Sequence, residues 1–162
     1  MPIALVRIDD RLIHGQVAVA WGSSLCIDRI VLVNDDVAHT KWKRALYAEA
    51  DAMGAAISVL DVEGFGDELA GGAWRSEKVI VVVGSPREAR LLLEHGLDVR
   101  SVNIGGMHHS EGKREVLPYV YVDEDDRCEL LAIAAGGVAL EARDVPQADP
   151  VDLLPLLNEP TG

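Results

Sequence analysis

The chain has 162 residues, 49% of them hydrophobic, and a formal net charge of -12. A chain of this length and composition can bury a sizeable core without disulfide or metal staples. Its negative charge disfavours binding to nucleic acid or to an anionic lipid surface, because both require clustered cations. We therefore expect one globular domain over residues 1–162.

The sequence also bears on the cellular compartment. No apolar run approaches the roughly 20 residues of a membrane-spanning helix, and the N-terminal residues lack the pattern of a secretion signal. The two cysteines, Cys26 and Cys128, stand alone in apolar or acidic surroundings, which indicates buried free thiols. These features favour a cytoplasmic protein.

Short apolar runs bounded by turn-forming residues predict seven strands. They occupy residues 3–6, 29–33, 57–60, 78–83, 99–104, 119–122 and 138–142. Segments of helical composition lie between most of them, at residues 40–53, 87–94 and 124–135. This alternation predicts an α/β fold in which helices cover a parallel sheet.

Two of the predicted helices have recognisable starts. Ser85, Pro86 and Glu88 supply an N-cap, a proline at the first helical position and a reciprocal acid, and Asp123 and Asp126 form a similar pair. By contrast, residues 62–76 are expected to be irregular, because several glycines interrupt the helical pattern.

The polar loops follow the carboxyl ends of the predicted strands. In an open parallel sheet, ligands bind in the crevice beyond these ends. The loops in question are residues 9–15, 34–36, 84–85 and 105–109, of which 34–36 is expected to cap the next helix. Polar chemistry is therefore predicted to gather at one edge of the sheet.

His14 is the leading candidate for a functional residue in these loops. It precedes a predicted helix, whose N-terminal amides and positive dipole favour an anion, and Arg11 adds a fixed cation. A phosphoryl group suits this environment. The same positive end favours a neutral imidazole, which keeps the lone pair that a nucleophile needs.

Several other interpretations remain open from the residues alone. His14 could be an ordinary hydrogen-bonded histidine with Asp9 and Asp10 as capping acids, or the loop could bind phosphate without covalent chemistry. A metal site is disfavoured, because two arginines in the same loop would repel a cation. The glycines of 105–106 lack the spacing of a dinucleotide loop, and no cofactor is predicted. His108 and His109 are either solvated or line the edge beside His14.

One known family shares these motifs. The segment RIDDRLIHGQV, residues 7–17, resembles the signature loop of the mannose/fructose/sorbose-type EIIB component of the bacterial phosphoenolpyruvate-dependent sugar phosphotransferase system. The likeness continues through 29–36, through SVNIGGM at 101–107 and into 138–143. It implies one EIIB-type domain of the sorbose subfamily over residues 1–162, with a mainly parallel sheet of about seven strands and helices on both faces.

The resemblance also implies a function. The histidine that matches His14 accepts a phosphoryl group on Nδ1 from a phosphohistidine of an EIIA protein or domain. It then passes the group to a sugar, with the membrane partners EIIC and EIID. The implied phosphoryl-binding residues are Arg11, Gly15 and Asp10, and either Asp9 or Asp10 orients Arg11 or the imidazole. No metal or cofactor is implied. Attachment to the inner membrane through EIIC and EIID, and association into homo-oligomers, both stay open.

The chain departs from the family pattern at Ala20. Sugar-transporting members commonly carry an arginine at this position, so a cation near the phosphoryl site is missing. This departure favours an alternative function, a regulatory phosphoprotein that is phosphorylated on His14 without phosphorylating a sugar. Trp42, Lys43 and Arg44 form a locally basic patch near the same edge, which is either a solvated helix face or a docking surface.

Overall fold

The computed structural model describes residues 3–50, 52 and 54–158, without the side chains of 16–18. The elements in chain order are β1 (Ile3–Asp9), a π-helical segment (Gln16–Trp21), α1 (Gly22–Leu25), β2 (Arg29–Val33), α2 (Asp35–His39), α3 (Lys41–Ala48), β3 (Ala56–Leu60), α4 (Val62–Ala70), β4 (Val79–Val83), α5 (Pro86–Glu94), β5 (Ser101–Gly106), β6 (Arg114–Leu117), β7 (Val120–Val122), α6 (Glu124–Ala135), β8 (Ala139–Ala142), β9 (Val151–Asp152) and α7 (Leu154–Leu157).

The main sheet has seven strands in the order β3-β2-β4-β1-β5-β8-β9. All neighbours are parallel except β8 and β9, which pair antiparallel. The predicted fold class, a mainly parallel sheet of about seven strands with helices on both faces, is confirmed. One strand of the main sheet differs from the prediction. The predicted strand at 119–122 corresponds to β7, which pairs with β6 in a separate two-stranded sheet, and the two-residue β9 is the edge strand instead.

Side chains that alternate along the central strands build one core on each face of the sheet. In β4, Val81 and Val83 face the core that α4, α5, α6 and α7 cover, whereas Ile80 and Val82 face the core on the other side. The second core is covered by the π-helical segment through Trp21 and by α2 and α3. Both faces of a central parallel strand are therefore apolar, as burial on two sides requires.

Helix α4 contradicts the prediction that residues 62–76 are irregular. The carboxylate of Asp61 accepts a hydrogen bond from the backbone nitrogen of Gly64 at 2.6 Å, and Phe65 is fully buried. A Cβ added at Gly66 would lie 2.9 Å from Nδ1 of His95. The glycines here allow close approach of neighbouring side chains, and burial of Phe65 outweighs their low helix propensity.

The predicted helix starts agree with the structure. Asp123 and Asp126 form the reciprocal capping box of α6, and Ser85 caps α5. The predicted helix 40–53 corresponds to the shorter α3 (Lys41–Ala48), which begins after the extended backbone of Thr40, and two residues of the predicted span, Asp51 and Met53, lie outside the described residues.

Two smaller expectations meet different outcomes. The side chain of Asn34 accepts a hydrogen bond from the backbone nitrogen of Val37 and caps α2 as expected. The prediction of buried thiols is wrong, because Cys26 and Cys128 are both exposed.

Candidate active site

The His14 loop begins where β1 ends, between β4 and β5 at the centre of the sheet. Leu12 adopts a left-handed backbone conformation with φ of 59°, and its nitrogen donates a hydrogen bond of 2.9 Å to the carbonyl of Asp9. Burial of Leu12 and Ile13 in the second core holds this turn in place, since a left-handed leucine is strained by itself. His14 follows with 20% of its side chain exposed.

Asp9 is the centre of the site and is fully buried. Its Oδ1 accepts hydrogen bonds from the backbone nitrogen of Arg11 at 3.0 Å and from Nε of the same residue at 3.2 Å. Its Oδ2 contacts Nη2 of Arg7, Nη2 of Arg11 and Nε2 of His14, the last at 2.9 Å. Burial acts to raise the pKa of Asp9, but the bonds from Arg11 and His14 and the charge of Arg7 prevail and lower it.

The contact between Asp9 and His14 assigns the protons of the imidazole. An ionised carboxylate only accepts hydrogen bonds, so Nε2 must carry the proton in the bond to Oδ2. In the neutral ring the lone pair then resides on Nδ1. The contact thus orients His14 and favours the neutral tautomer with the lone pair on Nδ1.

Arg7 forms a buried ion pair with Asp9, and the sequence did not lead us to predict a role for this arginine. Its side chain is fully buried in the middle of β1. The guanidinium donates to Oδ1 of Asn103 at 2.6 Å, to Asp9, and to the carbonyls of Arg143 and Asp144 at 3.0 and 2.9 Å. Burial lowers the pKa of Arg7, with Asp9 acting against the shift. An arginine still remains charged at such a site, so Asp9 always faces a cation.

The buried guanidinium also explains two neighbours. The ring of Trp21 lies 5.2 Å from Cζ of Arg7, a cation–π distance, and its indole nitrogen donates to the carbonyl of Asp144 at 3.3 Å. A Cβ at Gly105 would lie 1.9 Å from the same Cζ. Gly105 therefore leaves the space that the arginine occupies.

Asp10 contacts His108 instead of the groups around Asp9. Its carboxylate accepts a hydrogen bond of 2.6 Å from the backbone nitrogen of His108 and pairs with Nδ1 of the same residue. The ring of His109 packs edge-on against Tyr121 at a centroid distance of 5.4 Å. The structure therefore separates the two acids, since Asp9 orients Arg11 and His14 while Asp10 ties the loop after β5 to the His14 loop. Membership of Asp10 in the phosphoryl-binding group stays a prediction.

Gly15 and the helix after it complete the loop. An added Cβ at Gly15 would meet nothing within 4 Å, so space is open beside His14. The predicted helix does follow, but its residues Gln16–Trp21 are π-helical. Such π segments occur frequently at functional sites.

The described residues hold no group of three or more His, Cys, Asp and Glu side chains arranged to bind a metal ion. Two guanidinium groups beside Asp9 would also oppose a bound cation. Within the same residues, no helix has both the length and the apolar character needed to cross a bilayer.

Comparison with known proteins supports one family. The family model described as "PTS system sorbose subfamily IIB component" matches residues 3–161. The N-acetylgalactosamine-specific phosphotransferase enzyme IIB component 1 of Escherichia coli is 37% identical over 145 residues, 89% of this chain and 91% of that protein. The IIBSor domain of the sorbose permease from Klebsiella pneumoniae superposes with a TM-score of 0.91 at 31% identity, over 98% of this chain and 97% of that domain.

A longer relative shows the same unit within a larger protein. The mannose-specific EIIAB component of Escherichia coli is 34% identical over 159 residues, which are 98% of this chain and 49% of that protein. The chain therefore spans about half the length of this relative. On the family match and these identities, the chain belongs to the sorbose subfamily of IIB components of the phosphotransferase system, and it is a phosphotransferase component.

Proposed function

We propose that His14 carries the phosphoryl group, accepting it on Nδ1 from a phosphohistidine of an EIIA protein or domain. The observation that carries the proposal is the 2.9 Å contact between Nε2 of His14 and the buried carboxylate of Asp9. It orients the ring and leaves the lone pair on Nδ1. The phosphoryl group then passes to a sugar that enters through the membrane components EIIC and EIID.

The bonds formed and broken in the transfer balance without a metal or a further cofactor. The Nδ1 lone pair forms a bond to phosphorus while the bond from phosphorus to the donor nitrogen breaks, and that nitrogen keeps the electron pair. The ring of His14 gains positive charge because Nε2 retains its proton. The Asp9 carboxylate stabilises this charge, which is an electrostatic contribution already in place before the reaction.

Three groups can hold the phosphoryl oxygens. Arg11, with 39% of its side chain exposed, presents a guanidinium that Asp9 fixes in orientation. Gly15 leaves room for the group, and the backbone amides of the loop supply further donors. Phosphoryl transfer depends chiefly on alignment and charge stabilisation, so these groups suffice.

One experiment tests the phosphocarrier directly. Incubation with phosphorylated EIIA should add a single acid-labile phosphoryl group by intact mass. The His14→Ala variant should remain unlabelled, and the matched His109→Ala variant should be labelled. An unlabelled wild-type chain would contradict the proposal.

Ala20 supports a second candidate, a regulatory phosphoprotein that passes no phosphoryl group to a sugar. The two functions differ in the fate of the label. Membranes bearing EIIC and EIID should remove the label only when a transported sugar is present if the chain is a sugar phosphotransferase. Retention of the label with every sugar supplied would instead support regulation.

A further inference from the structure

The exposed apolar side chains of the described residues gather on one side of the molecule. Val19, Trp42 and Leu46 are the large hydrophobic residues with half or more of their surface exposed, at 50%, 67% and 61%. Val19 belongs to the π-helical segment and the other two to α3, and both elements cover the second core. The exposed apolar surface therefore lies on the layer of helices that also anchors Leu12 and Ile13 of the His14 loop.

None of the residues of helix α3 is buried. Tyr47 packs partly against the second core, whereas Trp42, Ala45 and Leu46 are all exposed. Their spacing of i, i+3 and i+4 places them on one stripe of the helix, which faces away from the core. An eight-residue helix has little stability by itself. A partner that covers the exposed apolar stripe would both stabilise the helix and explain why the stripe is apolar.

The charges of α3 indicate the chemistry of that partner. On a chain with a net charge of -12, residues Lys41–Ala48 include three cations and no acid. Lys43 is paired with Asp36 at 2.5 Å, while Lys41 and Arg44 are exposed. A complementary surface would place carboxylates around an apolar depression that receives Trp42 and Leu46.

Helix α3 packs against β3 and starts at the same edge of the sheet as the His14 loop. Helices α2 and α3 follow the carboxyl end of β2, and the His14 loop follows the carboxyl end of the parallel strand β1. Only β4 separates the two strands, so their ends lie about 10 Å apart at ordinary strand spacing. A protein seated on the start of α3 would therefore reach over His14.

We propose that Trp42, Ala45 and Leu46, with the flanking cations Lys41 and Arg44, form the docking surface for the phosphoryl donor. We call this the α3 outer face. The inference rests on the proposed function and adds to it the surface that recognises the donor and the chemistry that the donor must present. That chemistry is an apolar depression surrounded by carboxylates, next to the donor histidine.

Two other occupants fit the observations less well. A second copy of the chain paired through the same face would bring its Lys41 and Arg44 against their own counterparts, which repel. An anionic membrane surface would be repelled by the remainder of an acidic chain. A protein with a complementary acidic patch meets neither objection.

The test is the steady-state rate of phosphoryl transfer from phosphorylated EIIA to the full chain. Trp42→Ala with Leu46→Ala should raise KM at least tenfold and leave kcat within about twofold, since truncated hot spots typically cost this much binding. Trp42→Phe keeps an aromatic ring and should restore most of the affinity. Unchanged kcat/KM in the double variant would overturn the inference.

Charge reversals supply a matched comparison. Lys41→Glu should lower kcat/KM severalfold and weaken its dependence on salt, because the rate of encounter is steered by charge. Lys78→Glu makes the same change in net charge at the amino end of β4, far from His14, and should leave kcat/KM near the wild-type value. Equal losses in the two variants would overturn the inference, since net charge alone would then explain them.

The outcomes separate this inference from the proposed function. A wild-type chain that is labelled, with variants that are labelled equally fast, removes only the docking surface. A wild-type chain that is never labelled removes the proposed function, and a binding titration with unphosphorylated EIIA still reports on the α3 outer face. Loss of wild-type self-association, or of binding to anionic vesicles, in the Trp42→Ala variant would assign the face to those occupants and overturn the proposal.

Discussion

Asp9 is the residue on which the candidate active site depends. Its two oxygens contact Arg7, Arg11 and His14, and the carboxylate itself is fully buried, as is Arg7. A buried carboxylate between two cations has to remain ionised, and its lowered pKa agrees with that. The same group therefore balances the buried charge of Arg7 and orients the ring of His14.

Asp9→Asn is expected to lower the rate of His14 phosphorylation by about a hundredfold. The amide can donate to the ring and so stabilise the wrong tautomer, and it cannot balance the charge that develops on the imidazole. The free energy of unfolding should also fall by about 3–5 kcal/mol, because two guanidinium groups lose their buried partner. Single-turnover labelling and urea denaturation measure the two effects.

Asp10→Asn provides the matched control for this change. Asp10 contacts His108 at the surface, where ion pairs contribute about 0–1 kcal/mol. Its variant should unfold within about 1 kcal/mol of the wild-type chain. Equal losses of stability in the two variants would contradict the central place given to Asp9.

Gly105→Ala should destabilise the chain by about 3 kcal/mol, the upper end of the usual cost of overpacking. The new Cβ would lie 1.9 Å from Cζ of Arg7, which has no space to withdraw. Gly15→Ala meets open space and should leave the free energy of unfolding within about 0.5 kcal/mol of the wild type. Thermal or urea unfolding of both variants checks the pair.

The residues at the site differ in how far the sequence predicts them. His14 and Arg11 were predicted because they lie in the polar loop after the first predicted strand, just before a predicted helix whose N-terminal amides favour an anion. Arg7 was missed because its partners, Asn103 and Arg143, lie 96 and 136 residues away, and local spacing carries no record of them. An arginine inside an otherwise apolar strand was the available signal, since such a group needs partners when buried.

At the scale of elements, the start of α6 shows how strongly local sequence acts. Asp123 and Asp126 bond to each other's backbone nitrogens at 2.7 and 3.2 Å. Asp123→Ala should lower the free energy of unfolding by about 1 kcal/mol, because the first helical amides lose an acceptor. Asp123→Ser retains an acceptor at the N-cap and should recover most of the loss in a urea titration. Equal stability of the alanine variant and the wild type would contradict the role of this cap.

Elements whose existence depends on distant packing were harder to predict. The glycines of α4 predict an interrupted helix, yet Phe65 is buried in the core that α4, α5, α6 and α7 cover and stabilises the helix. β9 joins the main sheet through only two residues, so no periodicity could identify it. Strands β2 and β4, buried on both faces, were predicted within one residue at each end because they are continuous apolar runs apart from Arg29 at the start of β2.

At the scale of the whole molecule, Glu88 makes the stability of the chain depend on pH. Its Oε2 is buried and has no hydrogen-bond partner among the described residues, and burial raises its pKa above the ordinary 4.5. With a raised folded pKa, the stabilising neutral form is fully present below the unfolded pKa. This contribution is lost as the pH rises through the folded pKa.

Glu88→Gln should therefore stabilise the chain at pH 7 more than at pH 4, since the amide stays neutral at both. Urea denaturation at the two pH values gives the comparison. The exposed Glu68→Gln should show no such difference. An equal effect of Glu88→Gln at both pH values would contradict the assignment of a buried carboxyl with a raised pKa.

The bonds from Arg7 to the carbonyls of Arg143 and Asp144 have a consequence for synthesis of the protein. His14 leaves the ribosome well before residues 143 and 144, whose carbonyls are the last acceptors of the arginine that contacts Asp9. At typical elongation rates of about 5–20 residues per second, several seconds separate the two events. A nascent chain therefore holds His14 without the full set of contacts around Asp9, and the site becomes organised only once nearly the whole sheet can assemble.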